Sequence, residues 1–222
     1  MIKIYLFDFN GAEADENCLS ALPSYIEKTK NPRLRAERIF SYMLLSYAYE
    51  KSFSKQMPGI ERDGYGRPYF VGSGIDFNIS HDGNFVALAI SDEGRVGIDI
   101  QLCKSDVSER LLKKADELYS ESALEFYENT QISEKTKIEI VRQDKFGKLV
   151  NSTELYRLKD MEKNGFFYRW TRIEALAKAD GRGISYVSKM SRERDDFLFE
   201  SFSLIDSSGE TYCLSLGARI QK

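Results

Sequence analysis

The sequence predicts an α+β fold made of two similar α/β lobes. Three observations predict it. Apolar residues alternate with period two in several short runs, and elsewhere they recur at helical spacing. Each half of the chain carries helical material followed by a β-hairpin signal, with no residue-level repeat. The 222 residues, 42% hydrophobic and 30% charged, suffice for one large domain or two small ones with buried cores. The lobes are expected at residues 1–102 and 103–222, meeting near Val96–Gln101.

Ile2, Ile4 and Leu6 alternate with Lys3, Tyr5 and Phe7, which suits a buried first strand. Pro32 stands at the start of a helix over Arg33–Tyr49, whose apolar face is Ile39, Phe40, Met43, Leu44 and Tyr47. Gly64–Phe70 is a turn-rich loop. Ile75–Ser80 and Phe85–Ser91 read as strands joined through His81-Asp82-Gly83-Asn84, where Asp-Gly signals a hairpin. Val96–Gln101 is a further strand. A helical stretch then covers Glu109–Asn129. The charged, weakly patterned Thr130–Asn164 segment reads as a partly helical insertion or mobile loop. A helix over Phe166–Ala179 ends before Gly181. Strands Phe197–Ile205 and Thr211–Ile220, joined through Ser207-Ser208-Gly209, close the chain.

A net charge of −3 argues against a general nucleic-acid binder but leaves room for a local basic pocket. Cys18, Cys103 and Cys213 are scattered and odd in number, so they form neither a disulfide framework nor a zinc pattern. Small apolar filler in a reducing compartment is their expected role. No run of about 18 apolar residues exists, so no membrane span is expected. The N-terminus reads as a strand, not a signal peptide, and the cytoplasm follows by default.

Four constellations could carry chemistry. In Val96–Gln101, alternation puts Gly97, Asp99 and Gln101 on one face. A carboxylate and an amide oxygen there suit Mg²⁺, with Gly97 leaving space beside them. The same pattern also describes a strand whose polar face meets water. Glu174 and Lys178 share one helix face with Trp170. Alone, they read as an exposed Glu–Lys pair. His81, the only histidine, follows Ser80 at the hairpin and is either a turn residue or a phosphate donor. Lys28, Lys30, Arg33, Arg35 and Arg38 form a solvated basic face or an anion site.

The order of these blocks is what discriminates. A basic helix start, Gly66-Arg67-Pro68, Phe77-Asn78-Ile79-Ser80-His81, Gly97-Ile98-Asp99-Ile100 and Trp170…Glu174-Ala175…Lys178 follow one another. In this the chain resembles the Sfp-type phosphopantetheinyl transferases, from about residue 28 to the last hairpin. The resemblance implies a pseudo-dimer of two α/β lobes with coenzyme A in the cleft between them. It implies a Mg²⁺-dependent enzyme of the holo-[acyl-carrier-protein] synthase type. The 4′-phosphopantetheine arm would pass from coenzyme A to a serine of an apo acyl, peptidyl or polyketide carrier protein, releasing 3′,5′-ADP. Asp99, Glu174 and Gln101 would hold the metal, and Lys178 would touch the phosphates. Ser80 and His81 would lie at the nucleotide phosphates, Arg35 with Lys28 or Lys30 at the 3′-phosphate, and Arg67 and Pro68 along the adenine. Asp99, Glu174 and Lys178 are the expected catalytic residues, Glu174 being the first candidate base. A cleft complete within one chain implies a monomer.

The chain departs from the family pattern at three places. Gln101 stands where Glu is common, Ile173 where Lys is common, and Leu118–Ala123 lacks the final Glu of a Phe-Phe-Ser-x-x-Glu block. These departures motivate a competing reading: a non-catalytic relative that binds coenzyme A or a carrier protein. Leu111, Leu112, Lys113 and Lys114 are either a docking face for an acidic carrier protein or a helix packed by its leucines.

Overall fold

The computed structural model describes residues 1–10, 12, 14, 23–104, 106–121, 136–144, 147–151, 157–160, 165–189, 197–206 and 208–220. The first half contributes β1 (Ile2–Asp8), α1 (Ser24–Glu27), α2 (Pro32–Phe53), β2 (Ile60–Arg62), β3 (Pro68–Phe70), β4 (Asp76–Asp82), β5 (Phe85–Ser91) and β6 (Gly94–Leu102). The second contributes α3 (Glu109–Glu121), β7 (Thr136–Gln143), β8 (Leu149–Asn151), β9 (Arg157–Asp160), α4 (Phe166–Asp180), a 3-10 turn at Ile184–Lys189, β10 (Phe197–Ile205) and β11 (Thr211–Ile220).

The fold is α+β, as expected. One five-stranded sheet runs β4-β5-β1-β7-β8, and a four-stranded sheet runs β6-β11-β10-β9. The chain crosses between them. β6, from the first half, pairs antiparallel with β11, while β7 pairs parallel with β1. Of the Thr130–Asn164 segment, expected as a partly helical insertion or mobile loop, the described residues form strands β7, β8 and β9 and part of the connection between β7 and β8. Lys137 and Glu139 alternate with Ile138 and Ile140, a short pattern that their charges obscured. The predicted helix residues 122–129 and Cys18 lie outside the described residues.

The two sheets pack face to face, and each carries helices on its outer side. Ile2, Ile4, Leu6, Phe85 and Ala87 meet Val96, Ile98, Ile100, Leu214 and Leu216 between the sheets. Tyr5 and Phe7, on the other face of β1, meet Phe40, Met43 and Leu44 of α2. Asn31 caps α2, its Oδ1 accepting the Leu34 N–H at 3.1 Å, and Pro32 opens the helix. Among the described residues no helix is long and apolar enough to cross a membrane.

A polar ladder joins the two sheets at one edge. The side chains of Asp76, Asn78, Ser80 and Asp82 accept the backbone N–H groups of Val96, Ile98, Ile100 and Leu102, at 2.8, 2.9, 3.4 and 2.7 Å. These residues share one face of β4, so its period-two polar pattern satisfies the open edge of β6. This ladder sets Ser80 against Asp99.

Candidate active site

β6 and α4 supply the centre of the site. Val96, Ile98 and Ile100 are buried between the sheets, so Gly97, Asp99 and Gln101 face α4. Gly97 does not leave a ligand space, as the sequence pattern had suggested. A Cβ there would collide with Ala175 O and Ala179 N and lie 3.0 Å from Ala179 Cα. Gly217, its partner on β11, also lies under Ala175. The glycine pair therefore lets the α4 backbone settle onto the sheet, and α4 carries Glu174 and Lys178.

Asp99 is 1% exposed. Its Oδ1 takes the Lys178 ammonium at 2.6 Å and the Ser80 hydroxyl at 2.9 Å, and its Oδ2 takes Gln101 Nε2 at 3.1 Å. Lys178 also donates to Ser80 Oγ at 3.0 Å and Ile98 O at 3.2 Å. A buried carboxylate is tolerable with this many donors. Glu174 differs. Burial first, and the Asp99 charge second, push its carboxyl above the ordinary range, while Lys178 and Lys114 act in the opposite direction.

The site thus gathers two carboxylates and an amide against one ammonium. Among the described residues no group of three or more His, Cys, Asp or Glu side chains is placed to hold a metal ion. Asp99, Glu174 and the Gln101 amide oxygen are nevertheless hard oxygen donors of the kind Mg²⁺ takes, and a divalent cation would relieve the crowded carboxylates. The donor set fits the ion in chemistry.

The other expected residues surround this centre unevenly. Ser80 is buried beneath Lys178 and Asp99. His81 is exposed at the end of β4, its Nδ1 3.7 Å from Glu37 Oε2 of α2. Arg35 donates to the carbonyls of Ile26 and Glu27 at 2.9 and 2.8 Å, tying α2 to α1, and Lys30 is exposed between those helices. Pro68 is half-buried. Arg67 is 8% exposed and turns its guanidinium inward to Asp76, Phe77, Val96 and Lys178. On α3, Leu111 and Leu112 are half-buried while Lys113 and Lys114 are exposed.

Sequence reasoning missed the ladder residues Asp76, Asn78 and Asp82, although their alternation with Phe77, Ile79 and His81 was visible. It also missed that Cys103 and Cys213 meet as free thiols, Sγ to Sγ 3.1 Å. No local signal points to that pair, which β6–β11 pairing alone creates.

No family model matches the chain. Similarity to individual proteins does exist. The chain is 24% identical over 135 residues, 61% of its length, to a protein of Synechocystis sp. named as a 4′-phosphopantetheinyl transferase. It is 47% identical over 49 residues, 20% of its length, to one so named in Haemophilus influenzae. It is 27% identical over 170 residues, 69% of its length, to the L-aminoadipate-semialdehyde dehydrogenase-phosphopantetheinyl transferase of Xenopus laevis. The matches cover 42%, 21% and 48% of those relatives, so the chain spans less than half the length of each. All three names bear out the resemblance to phosphopantetheinyl transferases.

Proposed function

We propose, from the premise that this chain resembles the 4′-phosphopantetheinyl transferases, that it moves phosphopantetheine from coenzyme A to a serine of an apo carrier protein. The observation that supports this reading most is the convergence of Asp99, Glu174 and Lys178 from β6 and α4, beside the β4 end that carries His81. Carboxylates and a lysine at one point suit a reaction in which charge develops on pyrophosphate oxygens.

On this reading Asp99, Glu174 and Gln101 hold Mg²⁺, which when bound neutralises phosphate charge. Lys178 lies in contact with Asp99 and transfers part of its hydrogen bonding to the entering phosphates. His81, Arg35 and Lys30 bind the nucleotide phosphates, Ser80 orients Asp99 and Lys178 beneath them, and the Pro68 turn lies along the base. Glu174 takes the proton of the carrier serine. The serine oxygen forms a bond to the β-phosphorus, the pyrophosphate P–O bond breaks, and 3′,5′-ADP leaves.

The same reading makes the chain a pseudo-dimer of two α/β lobes, residues 1–102 and 103–222, that acts as a cytoplasmic monomer of the holo-[acyl-carrier-protein] synthase type. The carrier protein docks beside α4, at the α3 turn of Leu111, Leu112, Lys113 and Lys114, because Lys114 is near enough to influence Glu174.

Intact mass spectrometry of an apo carrier protein incubated with the chain, coenzyme A and Mg²⁺ tests the proposal. One added phosphopantetheine is expected, blocked by EDTA. Asp99→Ala and Glu174→Ala should each abolish it while keeping the circular dichroism of the wild type. Full activity in either variant would remove that residue from the mechanism. Coenzyme A binding without product across several carriers would favour the non-catalytic reading that Gln101 and Ile173 raise.

A further inference from the structure

We propose that Arg67 is a positioning residue: with Asp76 it fastens the C-terminal end of α4 to β4 and β6, and so sets Lys178 and Glu174 against Asp99. The inference rests on the transferase reading for its kinetic consequence but on geometry for its substance.

An arginine in a Gly-Arg-Pro turn invites assignment as a ligand contact. Its surroundings are already full. Nη1 donates to Lys178 O. Nη2 donates to Asp76 Oδ2 at 2.6 Å, Val96 O at 2.9 Å and Phe77 O at 3.2 Å. The side chain is 7% exposed. Four acceptors from three elements thus share one planar fork, which lysine could not reproduce.

Each acceptor has structural meaning. Lys178 O belongs to the last turn of α4, whose carbonyls have no partner within the helix. Arg95 Nη1 donates to Asp180 O, two residues on, at 2.7 Å. Two arginines therefore hold the end of the helix that presents Lys178 and, one turn earlier, Glu174. Asp76 Oδ2 accepts both Arg67 and the Val96 N–H, at 2.6 and 2.8 Å. Val96 is three residues before Asp99. One side chain therefore grips β6 just upstream of Asp99 and α4 at the backbone of Lys178. The separation between Asp99 and the α4 side chains depends on that grip.

The test compares wild type with Arg67→Met, which keeps the stem and removes every donor, and with Asp76→Asn. Coenzyme A affinity is read by calorimetry, turnover by carrier modification at saturating coenzyme A, and order by amide hydrogen exchange. The expected result is a Kd within about threefold of wild type and a kcat lower by roughly 10–100-fold, the scale of an ångström-level misplacement. Exchange should accelerate at residues 96–98 and 178–181. Asp76→Asn, which keeps an acceptor oxygen, should fall between wild type and Arg67→Met. A Kd weakened tenfold or more with kcat retained would make Arg67 a ligand contact and overturn the inference. If Arg67→Met does not fold, Arg67→Lys is measured in the same three ways, and the same results support or overturn the inference. If the wild type shows no transfer, the transferase reading fails on its own. The exchange measurement then decides the inference, and unchanged exchange at those amides overturns it.

Discussion

Replacing Gly97 with alanine should push α4 off its sheet. The new methyl would lie 3.0 Å from Ala179 Cα and nearer still to Ala175 O and Ala179 N. Favourable carbon contacts begin near ~3.5 Å, so the helix must retreat by at least about 0.5 Å from the first atom and by more from the others. Those atoms are helix backbone and cannot swing aside. Overpacking of this kind costs about 1–3 kcal/mol. At roughly 2–4 °C per kcal/mol for a chain of this size, melting should fall by about 2–12 °C. Ala175 and Ala179 each follow a residue of the proposed site, Glu174 and Lys178, so the retreat displaces both from Asp99. A displacement near ~1 Å can lower turnover about 10²-fold. Thermal unfolding by circular dichroism reads the first effect and carrier modification the second. Gly59→Ala is the control, since nothing lies within 4 Å of a Cβ there. A Gly97→Ala protein with wild-type melting and turnover would refute the close approach of β6 and α4.

Two further perturbations test the frame around the site. The Arg182 guanidinium grips the buried Asp180 carboxylate at 2.6 and 2.8 Å. Burial works to raise the Asp180 pKa, but the Arg182 hydrogen bonds and charge outweigh it and hold the carboxyl below its ordinary 3.8. A depressed folded pKa contributes stability that is present above pH 3.8 and lost as pH falls through the folded value. Arg182→Met should therefore lower stability by about 1–3 kcal/mol at pH 7, the scale of leaving a buried acceptor unsatisfied. The gap to wild type should narrow below about pH 4, and a constant gap across acid titration would contradict the assigned pairing. At the other end of the molecule, Asn31→Ala removes the cap of α2 and should cost about 1 kcal/mol. Unchanged melting would mean that Pro32 alone starts the helix.

How much was legible follows from where the information sits. Strands Phe85–Ser91, Phe197–Ile205 and Thr211–Ile220 have the bounds expected from their own residues, because each is a local apolar run ended by turn chemistry. Helix α4 ends at Gly181, in the left-handed conformation that glycine adopts readily. Helix α2 runs on past Tyr49 to Phe53 and stops at Ser54 with φ 52°, a position that a serine does not advertise. β7 was illegible because a parallel strand beside β1 is specified by a partner more than a hundred residues away. Its Lys137 and Glu139 look like surface residues until Glu139 is seen 3.8 Å from Lys3. The candidate site residues were named from their type and order, which say nothing of what holds them. Gly97 read as empty space because a sequence does not show which backbone will occupy it. Asp76, Asn78 and Asp82 drew no reading of their own, since a strand facing water and a strand serving another strand's edge share one pattern.

The charge balance of the site favours the proposed functional reading over a purely structural ion pair. Burying Asp99 needs only what the fold already supplies: the Lys178 ammonium, the Ser80 hydroxyl and the Gln101 amide. A chain selected only for stability would have no reason to add a second carboxylate nearby, because a like charge in a poorly solvated place raises the free energy of the ionised form. Glu174 is there nonetheless, and its carboxyl is pushed up by burial and by Asp99. It stands on a helix that Gly97 and Gly217 admit and that Arg67 and Arg95 hold at its far end. That surplus acid is unfavourable to the empty fold, and it becomes favourable once a cation or a proton arrives. Both arrive in the proposed reaction, the first with the pyrophosphate and the second from the carrier serine.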